Sequence, residues 1–112
     1  MRSLIVGLAL LASTPTFAID KSAENLLKGA SAQAAIQQFC SDQFQVDADL
    51  STKLGKAAHD AAFQVLGEAD GDTEFRGELS RRFDEVKSAG PHQWCRNQRA
   101  TYNEYKIPVF KN

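Results

Sequence analysis

Apolar residues return every three or four positions along most of this chain, and nowhere do they alternate with polar ones over the length of a strand. That spacing is the period of an α-helix, and its persistence argues against any sheet-based fold. Ala32, Ala35, Ile36, Phe39, Cys40 and Phe44 fall on one stripe and predict a helix from Ser31 to Phe44. Asp20 to Leu27 reads as a shorter helix or arm before it, with Gly29 as a break. Leu50, Leu54, Ala57, Ala58, Ala61, Ala62, Val65 and Leu66 mark a helix that runs to about Glu68 and is capped by Asp49 or Ser51. Asp70-Gly71-Asp72 reads as a turn, with Asp72 or Thr73 capping a third helix whose buried face is Phe75, Leu79, Phe83 and Val86. Gly90-Pro91 punctuates its end, since glycine suits a helix stop and proline the first position of the next. Trp94, Cys95, Gln98, Tyr102 and Tyr105 line the last helix, which stops before Ile107-Pro108, and Val109-Phe110 is expected to dock back on the core. The predicted fold is all-α, a small bundle of about four helices.

The first eighteen residues are a separate object. Met1-Arg2-Ser3 is a short basic start, Leu4 to Ala12 is an apolar run, and Pro15 is followed by the small residues Thr16 and Ala18. This is the pattern of a secretory signal peptide at 1–18, cut after Ala18, and the run is shorter than the roughly 20 residues a spanning helix needs. The remaining segment, 19–112, is read as a single small helical domain without a membrane span. Of its 94 residues 12 are basic and 14 acidic, so a nucleic-acid partner held by bulk positive charge is excluded. The expected location is periplasmic or secreted.

Export decides how the two cysteines are read. In an oxidising compartment two thiols in a small domain pair, so Cys40 and Cys95 are expected to form a disulfide. It ties an early helix to the last one. A reactive thiol would need an activating base or a C-x-x-C partner, and neither is in the sequence. The plan of leader, small helical body and one long-range disulfide is similar to that of small bacterial periplasmic acid-stress chaperones. The similarity is of architecture and carries no functional residue over.

Motifs for chemistry are sparse. Glu68 to Leu79 is acidic, but a calcium loop starting at Asp70 would need Gly and Glu where Phe75 and Arg81 stand. His59 and His92 are the only histidines. His59 is expected to face solvent, and His92 with Cys95 makes too few ligands for a metal. No nucleophile-elbow motif and no glycine-rich phosphate loop occurs. No catalytic residue, metal ligand or cofactor is assigned.

The segment His92 to Lys106 stands out. Arg96, Arg99, Asn103 and Lys106 make a basic strip at helical spacing, flanked by Trp94, Tyr102 and Tyr105. Trp, Tyr and Arg combine contact area with directed hydrogen bonds, which points to a partner-binding face of Trp94, Arg96, Arg99, Tyr102 and Lys106. A core-facing aromatic side with a solvated basic side is the alternative. Charge is also segregated: residues 40–75 carry a balance of −6 and residues 76–112 one of +4.

The expected function is an exported, non-enzymatic protein-binding or chaperone-like module, with another envelope or exported protein as partner. The alternatives are a small envelope structural protein without ligand, and a small metal-binding protein or enzyme.

Overall fold

The computed structural model describes residues 20–111, so the leader expected at 1–18 lies outside the described residues. Four helices follow in order: α1 (Lys21–Phe39), α2 (Ala48–Leu66), α3 (Glu68–Ala89) and α4 (Pro91–Glu104). They pack together as an all-α bundle, and none is long and apolar enough to cross a membrane.

The first helix is one element rather than two. Asp20 caps it, its carboxylate accepting from the Ser22 and Ala23 N–H groups at 2.9 and 3.3 Å. Gly29 does not break it. A glycine inside a helix costs about 1 kcal/mol, whereas Ala23, Leu27, Ala30, Ala35 and Ile36 bury one stripe on both sides of it. Burial of those side chains outweighs the local preference. The helix ends at Phe39, five residues earlier than the sequence predicts, with Cys40 as its cap and the Cys40 N–H on the Ile36 carbonyl.

The cap of α2 is Asp47, not Asp49 or Ser51. Its carboxylate accepts from the Leu50 N–H at 3.0 Å, while Asp49 stands in the first turn and Ser51 is fully buried. The turn between α2 and α3 is a single residue, Gly67, at φ +87°. The expected turn at Asp70-Gly71-Asp72 lies inside α3, and neither Asp72 nor Thr73 is a cap. Glu68 and Asp70 in the first turn of α3 suit the positive end of its dipole instead. Gly90 repeats the device before Pro91, at φ +88°, as the sequence predicts.

Two apolar clusters lie along α1. One joins Ala23 and Leu27 to Ala62, with Phe63, Leu66 and Phe75 around them. The other surrounds the Cys40–Cys95 disulfide and contains Ala35, Ile36, Val86, Trp94, Val109 and Phe110. The C-terminal tail docks here: the Asp47 N–H donates to the Val109 carbonyl at 2.7 Å and the Lys111 N–H to the Gln45 carbonyl at 2.8 Å. Val46 and Phe110 thereby form an isolated antiparallel bridge, so the tail holds the α1–α2 connection and Phe110 fills the core beside it.

Candidate functional site

The α4 residues singled out in the sequence divide between inside and outside. Trp94 is buried, and its indole N–H donates to Glu85 Oε1 at 3.3 Å. Tyr102 is half-buried; its hydroxyl accepts from Gln33 Nε2 at 2.8 Å, and its ring stands 6.2 Å from that of Phe110. Arg99 is half-buried, its guanidinium carbon 4.9 Å from the centroid of Phe44. Arg96 is exposed and donates to Gln93 Oε1 at 2.7 Å, and Lys106 is exposed just past the helix end. The two aromatics therefore tie α4 to α3 and α1, and Arg96 and Lys106 remain on the outer surface. Cys40 and Cys95 are joined, with Cα atoms 5.5 Å apart.

A concave feature occurs elsewhere, in the groove between α1 and α2. It encloses about 390 Å³, within the range of small-ligand pockets. Its floor is Ala30, Ala34 and Gly55, where small residues bring the two helices close. A Cβ on Gly55 would stand 3.3 Å from the Gln33 Cβ, so the crossing leaves little room there. One wall is a chain of hydrogen bonds. The buried Ser51 hydroxyl donates to Gln33 Oε1 at 2.7 Å and accepts from Gln37 Nε2 at 3.0 Å, and that amide also reaches Thr52 Oγ1 at 3.2 Å. Gln33 carries the chain on to Tyr102, so groove and α4 share one polar network.

The far end of the groove is aromatic and charged. His59 does not simply face solvent: its side chain is one-third exposed. It stacks on Phe63 at 4.0 Å and meets the Phe75 ring edge-on at 5.0 Å. Asp60 pairs with Lys56 at 2.7 Å and with His59 Nδ1 at 3.2 Å. The hydrogen bond from Lys56, and then that from His59, holds the Asp60 carboxyl below its ordinary range. An apolar floor with amide and hydroxyl groups on one side and a fixed charge pair at the end can hold a chain segment by shape and a few directed hydrogen bonds.

A second cluster links α3 to α4. Glu78 is only 2% exposed yet faces two guanidiniums, Arg81 at 2.8 Å and Arg82 at 3.3 Å. Arg82 also pairs with Glu85 at 3.0 Å, and Glu85 holds Trp94. The sequence gives no sign of this. Glu78 and Arg82 look like surface residues of a charged helix, and only the packed neighbours reveal their burial. Nor does the spacing announce the groove, beyond the hint of a small-residue crossing in Ala30 and Ala34, which are four apart like Gln33 and Gln37.

Asp70 and Asp72 are helical and form no loop for calcium. Among the described residues no group of three or more His, Cys, Asp or Glu side chains gathers where it could hold a metal ion. Comparison with protein-family models, with curated proteins and with solved structures finds no match to this chain.

Proposed function

We propose that this is an exported, non-enzymatic binding protein that holds a segment of another envelope or exported protein in the groove between α1 and α2. The observation that carries the reading is the groove itself: about 390 Å³, open to the surface, apolar on its floor, and bordered by Gln37, Thr52 and the Lys56–Asp60 pair. An apolar site with a few fixed polar groups selects by fit and orientation, which is what a binding module needs. Export is supported by the charged, apolar and small-residue order of residues 1–18, and the Cys40–Cys95 bond is compatible with it.

The test separates the groove from the outer strip of α4. Ala34→Trp fills the groove floor, and the triple variant Arg96→Ala, Arg99→Ala, Lys106→Ala removes the basic strip. Each is used to capture partners from the exported fraction, beside the unaltered protein. Loss of a discrete partner with Ala34→Trp and its retention with the triple variant supports the groove. Loss with the triple variant alone moves the site to α4, and capture unchanged by both contradicts a binding role for either.

A chaperone-like version is favoured by one observation, the buried Glu78. It lies between the exposed Arg81 and the buried Arg82, so a disturbance of this cluster would leave the Arg82 charge buried with Glu85 as its remaining partner. Unpaired buried charge destabilises strongly. Loosened packing of α3 would expose the apolar clusters to a client. Dye binding that rises between neutral pH and about pH 2 supports this version, and flat dye binding rejects it.

A further inference from the structure

The polar wall of the α1–α2 groove distributes its protons in a way that limits what can bind there. Ser51 is fully buried and gives its one proton to Gln33 Oε1 at 2.7 Å, so toward Gln37 Nε2, at 3.0 Å, it is the acceptor. The Gln37 amide turns its N–H side to Ser51 and to Thr52 Oγ1 at 3.2 Å, which leaves Gln37 Oε1 as an acceptor for a ligand. Thr52, exposed and already accepting, keeps its own O–H to donate. At the other end of the chain Gln33 meets Tyr102, and every member carries both a donor and an acceptor. Reversing all the bonds therefore only exchanges the two roles: Gln37 then donates and Thr52 accepts. In either direction the rim of the groove offers one donor beside one acceptor.

Such a pair suits one chemistry. An anion needs donors alone and a metal cation acceptors alone, whereas a residue of extended chain turns its N–H and its C=O to the same edge and can exchange both. The ionisable side chains that line the groove are bonded to one another, Lys56 to Asp60 at 2.7 Å and His59 Nδ1 to Asp60 at 3.2 Å, so no lone charge calls for an ionic ligand. The floor of Ala30, Ala34 and Gly55 suits an apolar side chain. From Thr52 to Asp60 the groove follows α2 for about 12 Å, a length that about four residues of extended chain would span.

Given the groove as the binding site, we propose that it recognises polypeptide main chain: an extended, uncharged segment of about four residues, in which the N–H and C=O of one residue pair with Gln37 and Thr52. An apolar side chain of the segment enters between Ala34 and Gly55. Main-chain pairing makes the site tolerant of sequence, and the floor sets a preference at one position.

The test is titration of the oxidised, isotope-labelled protein with the capped peptide acetyl-Ala-Leu-Ala-Ala-amide, followed by NMR at the Gln37 side-chain amide, Thr52 and Gly55. Saturable shifts at these positions are expected. The same peptide N-methylated at its leucine should bind about fivefold more weakly or worse, since a hydrogen bond is lost. Lysine or aspartate in place of the leucine should also weaken binding, because the floor is apolar. Thr52→Val, at an exposed position, should cut binding of the unmethylated peptide severalfold. In the double variant Gln37→Met, Thr52→Val the methylated and unmethylated peptides should bind alike, and circular dichroism verifies that its helices are retained. Equal binding of the two peptides to the unaltered protein overturns main-chain recognition while leaving the groove as a binding site. Propionamide that shifts the same positions as strongly as the peptide overturns it in favour of a carboxamide side chain. Peptides that leave all these positions unmoved overturn it as well, and partner capture lost with Ala34→Trp would then keep the groove itself, for another chemistry.

Discussion

The ring of Phe63 on α2 lies so close to Gly71 on α3 that a Cβ at Gly71 would stand 2.9 Å from its Cγ and Cδ1 atoms. Gly71 is buried inside α3 with nothing unusual about its backbone, so its lack of a side chain, not its flexibility, is what matters there. The same ring stacks on His59 at the end of the groove.

Gly71→Ala should therefore destabilise the protein although alanine favours helix. Overpacking costs about 1–3 kcal/mol against about 1 kcal/mol gained in propensity, leaving a net loss of about 1 kcal/mol. Phe63→Leu in the same chain should absorb most of it, and a urea-unfolding double-mutant cycle measures the coupling. Additive effects of the two changes would contradict the contact.

Loss of the Cys40–Cys95 bond should cost about 4 kcal/mol, the loop-closure entropy of the span it encloses. Equilibrium unfolding of Cys40→Ser, Cys95→Ser beside the oxidised protein measures it. A loss below about 1 kcal/mol would mean that the packing around Trp94 and Phe110 holds α4 unaided.

Removing the Tyr102 hydroxyl should leave Gln33 with an unpaired amide proton in a site only 5% exposed. Tyr102→Phe is expected to cost about 1–3 kcal/mol at neutral pH. Burial pushes the Tyr102 phenol up, partly offset by the hydrogen bond from Gln33. A phenol raised on folding stabilises fully below its unfolded value and loses that contribution as pH climbs past about 10. The unaltered protein should weaken in that window more steeply than Tyr102→Phe, and equal slopes would contradict the burial.

Acid acts in the opposite sense on Asp20 and Asp60. Hydrogen bonds from the Ser22 side chain and the first N–H groups of α1 hold the Asp20 carboxyl low, and Lys56 does the same for Asp60. Both contribute above the ordinary carboxylate range and lose the contribution as pH falls below about 4. The double variant Asp20→Asn, Asp60→Asn should flatten the acid limb of a stability-against-pH curve. An unchanged limb would contradict these contacts.

Three glycines show what the sequence could and could not convey. Gly29, Gly67 and Gly71 look alike in a helical pattern, but one is tolerated, one turns the chain and one makes room for a ring. Which role each plays depends on neighbours distant in sequence, so helix boundaries were misplaced while helix identity was legible from spacing. On α2 the apolar spacing extends one flank beyond the buried face: Ala57, Ala61 and Val65 belong to the apolar pattern but lie outside, because Ser51 and Gly55 centre the buried face elsewhere. The pairing of Cys40 with Cys95 was legible from two thiols behind an export-type leader, and the docking of Val109-Phe110 from an apolar pair after Pro108. The groove did not, because Gln33, Gln37 and Ser51 read as surface residues and become a wall only when two helices cross at Ala30 and Gly55.

Site-specific photo-crosslinking in an exporting cell tests the central claim most directly. A photoreactive residue replaces Thr52 in the groove, with a control at the exposed Ser80 of α3. A ligand held between α1 and α2 predicts a discrete adduct from position 52, absent from position 80 and lost when Ala34→Trp is added. No adduct from position 52, or one that survives Ala34→Trp, would contradict the groove as the binding site.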